Sequence, residues 1–588
     1  MMIQHAPGSF TDIVRYPPRR KAVLSKNRLL HYRFIKRPHW KAGMFSQLLI
    51  VVIGAIAISI FAEGRGIQAP LLIVALGLVA SYIPGLPRLE LDPEVILTIV
   101  VPPLLFSAAT EFSFESFIKR LGSIVNLGVF LVVVTTFAVG WIAFGVGSFL
   151  SLPAALVLGA VVSPPDAVSA VAIARQLHLP SRLMTVLKGE SLINDAAALT
   201  LFSLTTAAVT GVHLATDNVV LFFLYRAVVG AGFGVILGML VHRIRLSVNS
   251  PSLATVLTVA VPFTAYIAAE ELGGSGVMAV VAAGFSLGHN AAEADYSERI
   301  QEREFWKTVD ALLDAFVFAY IGLQLRFVVE DTFAAGYDFW QVFGFSLLVL
   351  VAVIGVRIAW VGVSGYLSRL RGARIRERPP RGGPRGRHRP AEPFTWKENL
   401  VVAWSGMRGV VTLAAAAGIP YFTLSGDPFP QRPVIQTVAF VVTIGTLLVQ
   451  GLTLPWLIRA LDLVDPNEAE ELERQQKLAR QISREAALET VNRFAERQTS
   501  EEGRKIAELM KERSRLEHDE AKTVESGRRG PLMIELGQEV LMARRAALIA
   551  ARDARRLDDE FLRETLEQLD MQQAVLDNWA RNEQEGPI

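Results

Sequence analysis

A chain in which about thirteen apolar segments follow one another has few ways to fold. They fall near 46–62, 69–84, 94–110, 121–146, 152–174, 184–210, 218–241, 252–270, 275–288, 306–325, 339–363, 398–420 and 434–460. Most are about 17–25 residues, enough for a helix to cross roughly 30 Å of hydrocarbon. Lipid offers no partner to a backbone amide or carbonyl, so such segments bond internally as helices. The expectation is an all-α polytopic membrane protein with about thirteen transmembrane helices. The ninth segment is short; either it is broken or it begins within 272–274.

Charge divides the chain further. Charged residues make up 20% of the 588 but crowd into residues 1–43, one interior loop and the residues beyond 461. The expected divisions are a basic extension at 1–43, a membrane domain at 44–461 with a basic loop at 364–397, and a helical region at 462–588. The last is rich in Glu, Arg, Gln and Ala, with periodic Leu and Ile, as in amphipathic helices or a short coiled coil; Gly527 to Pro531 splits it in two. A net charge of only +3 gives no nucleic-acid surface. The absence of cysteine excludes disulfides, thiol catalysis and cysteine-ligated metals.

The loops orient the chain. With the segment before the first helix placed outside, the inner loops hold Arg65, Lys119, Arg120, Arg175, Arg182, Lys188, Arg243, Arg245, Arg299, Arg303 and Lys307, and then the block from Arg369 to Lys397. The outer loops hold Arg88, Arg326 and Arg432. Positive residues mark the cytoplasmic side, so the C-terminus is expected there. The basic stretch 1–43 contradicts this rule and has no cleavable leader pattern. Three readings are open: translation begins at Met44, the tail is tolerated outside, or a re-entrant segment has been miscounted. The basic loop is expected to touch anionic lipid or to be a plain internal loop.

Within the apolar segments a few polar residues carry the chemistry. The sixth holds Lys188-Gly189-Glu190-Ser191-Leu192-Ile193-Asn194-Asp195. A charge at the bilayer centre costs roughly 3 to 10 kcal/mol, so such groups line a wet path, pair, or carry ions. The fifth segment holds Ser163-Pro164-Pro165-Asp166. Two prolines remove amide donors, so the helix is expected to unwind there and free carbonyls for a cation. Seven segments later the twelfth holds Ser405-Gly406-Met407-Arg408-Gly409. Broken helices at equivalent places in two halves point to a transport site between inverted repeats, segments 1–6 and 8–13 with the seventh as connector.

From these residues, Asp195 is expected to bind the cation and exchange it for a proton, with Ser191 one turn before it on the same face. Asp166 supports that geometry, directly or through water, and Asn194 offers its carbonyl or a bond that fixes the break. One carboxylate switching between H⁺ and Na⁺ gives one-for-one exchange, which moves no net charge. An intramembrane arginine needs a counter-charge, so Glu190 and Arg408 are expected to pair. Arg357 pairs in the core or, by default, snorkels. Gly322 and Gln324 make a close helix contact or line the path, and Gly274-Ser275-Gly276 suggests tight packing.

Four motifs in this order, Ser163-Pro164-Pro165-Asp166, Gly189 to Asp195, Gly274 to Ala279 and Gly406 to Val410, give the chain a family resemblance over about 45–461. It resembles a bacterial monovalent cation/proton antiporter of the CPA1 type, related to the NhaP and NHE exchangers. The resemblance implies crossed discontinuous helices and places the essential aspartate at Asp195, the aspartate of the unwound helix at Asp166, and a Glu–Arg pair at Glu190 and Arg408. It implies electroneutral exchange, since Asn194 stands where electrogenic relatives have a first aspartate. It also implies a homodimer in which a core moves against a scaffold, and C-terminal extensions that regulate. One position departs: the residue before the unwound-helix aspartate is often polar in the family and is Pro165 here, with Ser163 further back, so a rearranged backbone and hydroxyl coordination is expected there.

The leading expectation is a Na⁺/H⁺ antiporter accepting Li⁺, without a cofactor, in a bacterial inner membrane. Its partners are monovalent cations, protons, membrane lipids and a second copy. K⁺/H⁺ exchange is the nearest rival; a cation channel and a non-transporting scaffold are further off. No Walker loop or hydrolytic triad supports an enzyme.

Overall fold

The computed structural model describes residues 42–66, 68–83, 95–147, 150–177, 179–211, 218–248, 250–376, 393–463, 466–515 and 531–585. The expectations for most of the basic extension, for Arg88, for the centre of the basic loop and for the Gly527 break lie outside these residues.

Each of the thirteen apolar segments coincides with a helix or a broken pair of helices. In chain order these are α1 (Ala42–Glu63), α2 (Ala69–Ala80), α3 (Val101–Glu111, entered through a π-helical turn), α4 (Phe114–Val125) running through a π-helical turn into α5 (Leu131–Val146), and the broken pair α6 (Leu152–Val162) and α7 (Ala167–Gln176). Then follow α8 (Ser181–Thr210), α9 (Val219–Arg245), α10 (Pro251–Glu271), α11 (Gly276–Asn290), α12 (Tyr296–Leu323), the short α13 (Leu325–Ala334) and α14 (Phe339–Arg376). The second broken pair is α15 (Trp396–Trp404) and α16 (Val410–Ala417), and α17 (Arg432–Leu461) closes the domain. Among the described residues, seven helices, or helix runs, are long and apolar enough to cross a membrane.

Two boundaries differ from the sequence expectation. The ninth segment is one unbroken helix, starting where Ser275 accepts from the Met278 amide at 3.3 Å. The tight packing expected there is present, since the Ser275 amide donates to the Arg226 carbonyl of α9 at 2.9 Å. The basic loop, expected from 364, is helical as far as Arg376. Its Arg, Leu and Ala favour helix, and no proline intervenes before Pro379.

The helices pack as two bodies, which share apolar clusters where α2 and α12 meet α8 and α17 and where α3 and α11 meet α4 and α8. In one, α9, α10, α11 and α3 pack together, and α12 lies on α1 and α2. Gly322 of α12 meets Gly77 of α2 so closely that a Cβ on either would lie within 2.9 Å of the other's Cα, which is the close contact expected at Gly322. The other body joins α4, α5, α6, α8, α14, α15 and α17. The two broken helices belong to this second body.

Beyond it lie four polar helices: α18 (Pro466–Arg497), α19 (Glu501–Arg515), α20 (Pro531–Asp553) and α21 (Asp559–Glu585). The amphipathic pattern is realised as a bundle. Phe494 and Val491 pack near Leu536 and Val540, while Ala479 and Ile482 pack near Leu548, so α18 and α20 run antiparallel. The bundle docks on the first body of the membrane domain. Arg299 of α12 pairs with Asp570, Arg303 with Glu567 at 3.1 Å, and Arg563 donates to the Thr110 and Gly288 carbonyls at 2.8 and 3.3 Å. It reaches the second body at two exposed points, Glu468 to the Ser181 amide at 2.7 Å and Asp558 to Lys119 at 3.8 Å.

A candidate cation site where two broken helices cross

Four residues, Ser163 to Asp166, separate α6 from α7, and five, Ser405 to Gly409, separate α15 from α16. The two unwound stretches cross. The Asp166 amide donates to the Met407 carbonyl at 2.6 Å, and a Cβ on Gly409 would stand 2.1 Å from Asp166 Oδ2. The Asp166 carboxylate therefore lies at the N-terminal ends of both α7 and α16. Each such end carries about half a positive charge, so one carboxylate compensates two helix dipoles.

The opposite ends are held by arginines. Arg408 Nε donates to the carbonyl of Val162, the last residue of α6, at 3.1 Å, and Arg408 Nη1 donates to the Gly406 carbonyl. Arg357 of α14 donates through Nε and Nη2 to the Val402 carbonyl of α15 at 3.2 and 3.0 Å. Its other bonds go to Glu190, from Nη1 to Oε1 at 2.5 Å and from Nη2 to Oε2 at 2.9 Å. Glu190, Arg357 and Arg408 are each at most 2% exposed. Two arginines against one glutamate leave one positive charge. The C-terminal dipole ends of α6 and α15, about half a negative charge each, balance it.

The sequence expectation of a Glu190–Arg408 pair is thus corrected: the ion pair is Glu190–Arg357. Arg408 lies close enough for its charge to interact with Glu190 but bonds to helix carbonyls instead. Arg357 does not snorkel. Gly406 makes room for it, because a Cβ there would lie 2.3 Å from Arg357 Cδ.

Asn194 fixes the break. It is fully buried, and its Nδ2 donates to the Pro165 carbonyl at 2.5 Å, supplying a donor to a backbone carbonyl of the unwound stretch. Asp195, the next residue on α8, is only 8% exposed, and neither of its oxygens has a hydrogen-bond or ion-pair partner among the described residues. It faces a cavity of about 340 Å³ that is also lined by Pro164, Pro165, Asp166, Ser191, Gly409 and Thr412. Ser163 does not join this lining; it is buried and turns its hydroxyl back to the Ala160 carbonyl at 2.9 Å.

The far wall of the cavity comes from the first body, with Ser107 and Glu111 of α3 and Asp310 and Asp314 of α12. The two aspartates are absent from the sequence expectation, although the rule that singled out Asp195, a carboxylate within an apolar segment, applies to them equally. Arg175, Lys188 and Lys307 line the cavity as well. A second cavity of about 630 Å³ shares Ser107, Glu111, Arg175 and Lys188 with the first and continues between the membrane helices and α21. A partnerless carboxylate in a cavity where two bodies of helices meet has the makings of an ion-exchange site.

Comparison with known proteins agrees with this geometry. The sequence profile of the sodium/hydrogen exchanger transmembrane family matches residues 48–460. The chain belongs to the sodium/hydrogen exchanger family. An uncharacterized Na(+)/H(+) exchanger of Mycobacterium tuberculosis is 30% identical over 540 residues, 90% of this chain and 96% of that protein. The Na(+)/H(+) antiporter ApNhaP of Aphanothece halophytica is 29% identical over 453 residues, 76% of this chain and 79% of that one. The sodium proton antiporter MjNhaP1 of Methanocaldococcus jannaschii shares the fold, with a TM-score of 0.56 at 17% identity, over 71% of this chain and 98% of its own. This exchanger is therefore a multi-pass membrane transporter of the CPA1 type, built on the NhaP fold.

Proposed function

We propose that this exchanger moves Na⁺ or Li⁺ against H⁺ at Asp195, one for one. The observation that carries the reading is the partnerless Asp195 carboxylate in a cavity at the crossing of two broken helices. A monovalent cation and a proton compete for the same carboxylate, so each expels the other. Ser191, one turn before Asp195 and in the same cavity wall, supplies a hydroxyl oxygen. Asn194 stands beside it as a neutral amide already committed to Pro165. Asp166, held at two helix N-termini, shapes the site. With one carboxylate titrating, the exchange moves no net charge.

Alternating access follows from the two-body packing, since the cavity lies between the body carrying Asp195 and the body carrying α3 and α12. Movement of one body past the other would close this mouth and open another. The exchanger works in a bacterial inner membrane as a homodimer, with residues 462–588 in the cytoplasm, in keeping with the basic inner loops. Those residues regulate it; the bundle docks over the second cavity and touches both bodies.

The test is cation-induced dissipation of a preset pH gradient in proteoliposomes. Na⁺ and Li⁺ should dissipate it with the membrane potential clamped at zero, and the rate should be unchanged when a potential is imposed. A rate that follows the imposed potential contradicts one-for-one exchange, and a response to K⁺ alone contradicts the cation assignment.

A further inference from the structure

Asp314 lies on the wall of the cavity opposite Asp195, on a helix of the other packed body. It is half-buried in an apolar stretch and has no hydrogen-bond or ion-pair partner among the described residues. Its charge interacts with those of Asp166 and Asp310. Asp310, one turn away on the same face, is pinned by the Ser107 hydroxyl at 2.5 Å, and its Oδ1 is buried without a hydrogen bond. No three acidic or histidine side chains converge on one point among the described residues. The carboxylates are spread over the cavity wall. Glu111 and Ser107 stand where the two cavities adjoin, Asp310 and Asp314 on the wall, and Asp195 and Asp166 at the helix crossing.

We propose that Asp314 is a second cation-holding carboxylate, a specificity-determining residue that acts only while the cavity is open on the side of the C-terminal bundle. This rests on the exchange reading above. Because Asp195 and Asp314 sit on different bodies, a movement that closes this mouth separates them. A group that contacts the cation in one state and not in the other contributes to affinity only in the first. The chain thus carries an affinity difference between its two faces, written in one side chain of the wall opposite Asp195.

The experiment compares wild type, Asp314→Asn and Asp314→Glu by calorimetric Na⁺ and Li⁺ binding to the purified full-length protein, and by exchange in membrane vesicles of both orientations. The asparagine is isosteric, and thermal unfolding in detergent checks that it folds. Loss of one charged oxygen ligand should raise the Na⁺ KM at least about tenfold from the bundle side, and less than about twofold from the other, with the maximal rate kept. Asp314→Glu should recover most of the affinity. Unchanged binding and KM in Asp314→Asn would overturn the proposal, as would an equal KM rise on both faces. A wild type that binds Na⁺ but exchanges nothing would remove the exchange reading alone; the binding comparison would still decide on Asp314, weaker binding in the asparagine variant supporting it and equal binding overturning it. A wild type that binds none of Na⁺, Li⁺ and K⁺ overturns both.

Discussion

The amide of Asp166 donates to the carbonyl of Met407 at 2.6 Å, stitching the two broken helices together where each is unwound. Everything at the site is referenced to that contact. It sets Asp166 against Gly409, brings Pro165 under Asn194 and leaves Asp195 facing the cavity.

Gly409 is the residue that this crossing tolerates least. An alanine would bring its Cβ to 2.1 Å from Asp166 Oδ2, and the carboxylate would have to leave the helix ends it compensates. Gly409→Ala should insert and fold, yet exchange should fall at least about tenfold, the effect of roughly 1.4 kcal/mol. Transport rate per inserted molecule is the readout.

Glu190→Gln leaves Arg357 buried without its counter-charge, which typically costs about 3–5 kcal/mol. Thermal unfolding in detergent should show the loss. A double-mutant cycle should give a larger coupling between Glu190 and Arg357 than between Glu190 and Arg408, since only the first pair is hydrogen-bonded.

Asn194→Ala removes the donor to the Pro165 carbonyl and leaves that buried oxygen unsatisfied, at about 1–3 kcal/mol. Asn194→Asp should be worse for transport, because a carboxylate would face a carbonyl oxygen unless it holds a proton. Exchange measured against pH should show Asp activity confined to lower pH than wild type.

Asp570 is 1% exposed and receives both Arg299 and Arg545. Burial and the nearby Arg299 charge push the Arg545 guanidinium below its ordinary pKa, so this group depends on the carboxylate. Asp570→Asn should loosen the bundle from α12. Hydrogen exchange of α21 should rise sharply while that of α8 stays unchanged.

Hydropathy made the thirteen apolar segments legible, and the proline and glycine breaks marked where two of them unwind. Asp166 at the break, and Asn194 and Asp195 on the helix packed against it, were legible because a charge or amide in hydrocarbon needs a reason. The partner of Glu190 was not. A lone arginine between glycines looked like the natural counter-charge, but helix dipoles have no sequence letter, and Arg408 spends its donors on the carbonyls at the break. Ser163 failed similarly, its hydroxyl being drawn to a local carbonyl. Asp310 and Asp314 carried the same signal as Asp195, a carboxylate within an apolar segment. Which body each helix joins depends on contacts between segments far apart in the chain, and no local pattern reports that.

The most direct test of the central claim is Asp195→Asn reconstituted beside wild type, with insertion and fold verified in both. The account predicts that Na⁺ dissipates the pH gradient in wild-type vesicles and leaves it intact in the variant, because an amide neither releases a proton nor offers a charge to the cation. Full exchange by Asp195→Asn would contradict it and move the exchanging carboxylate elsewhere.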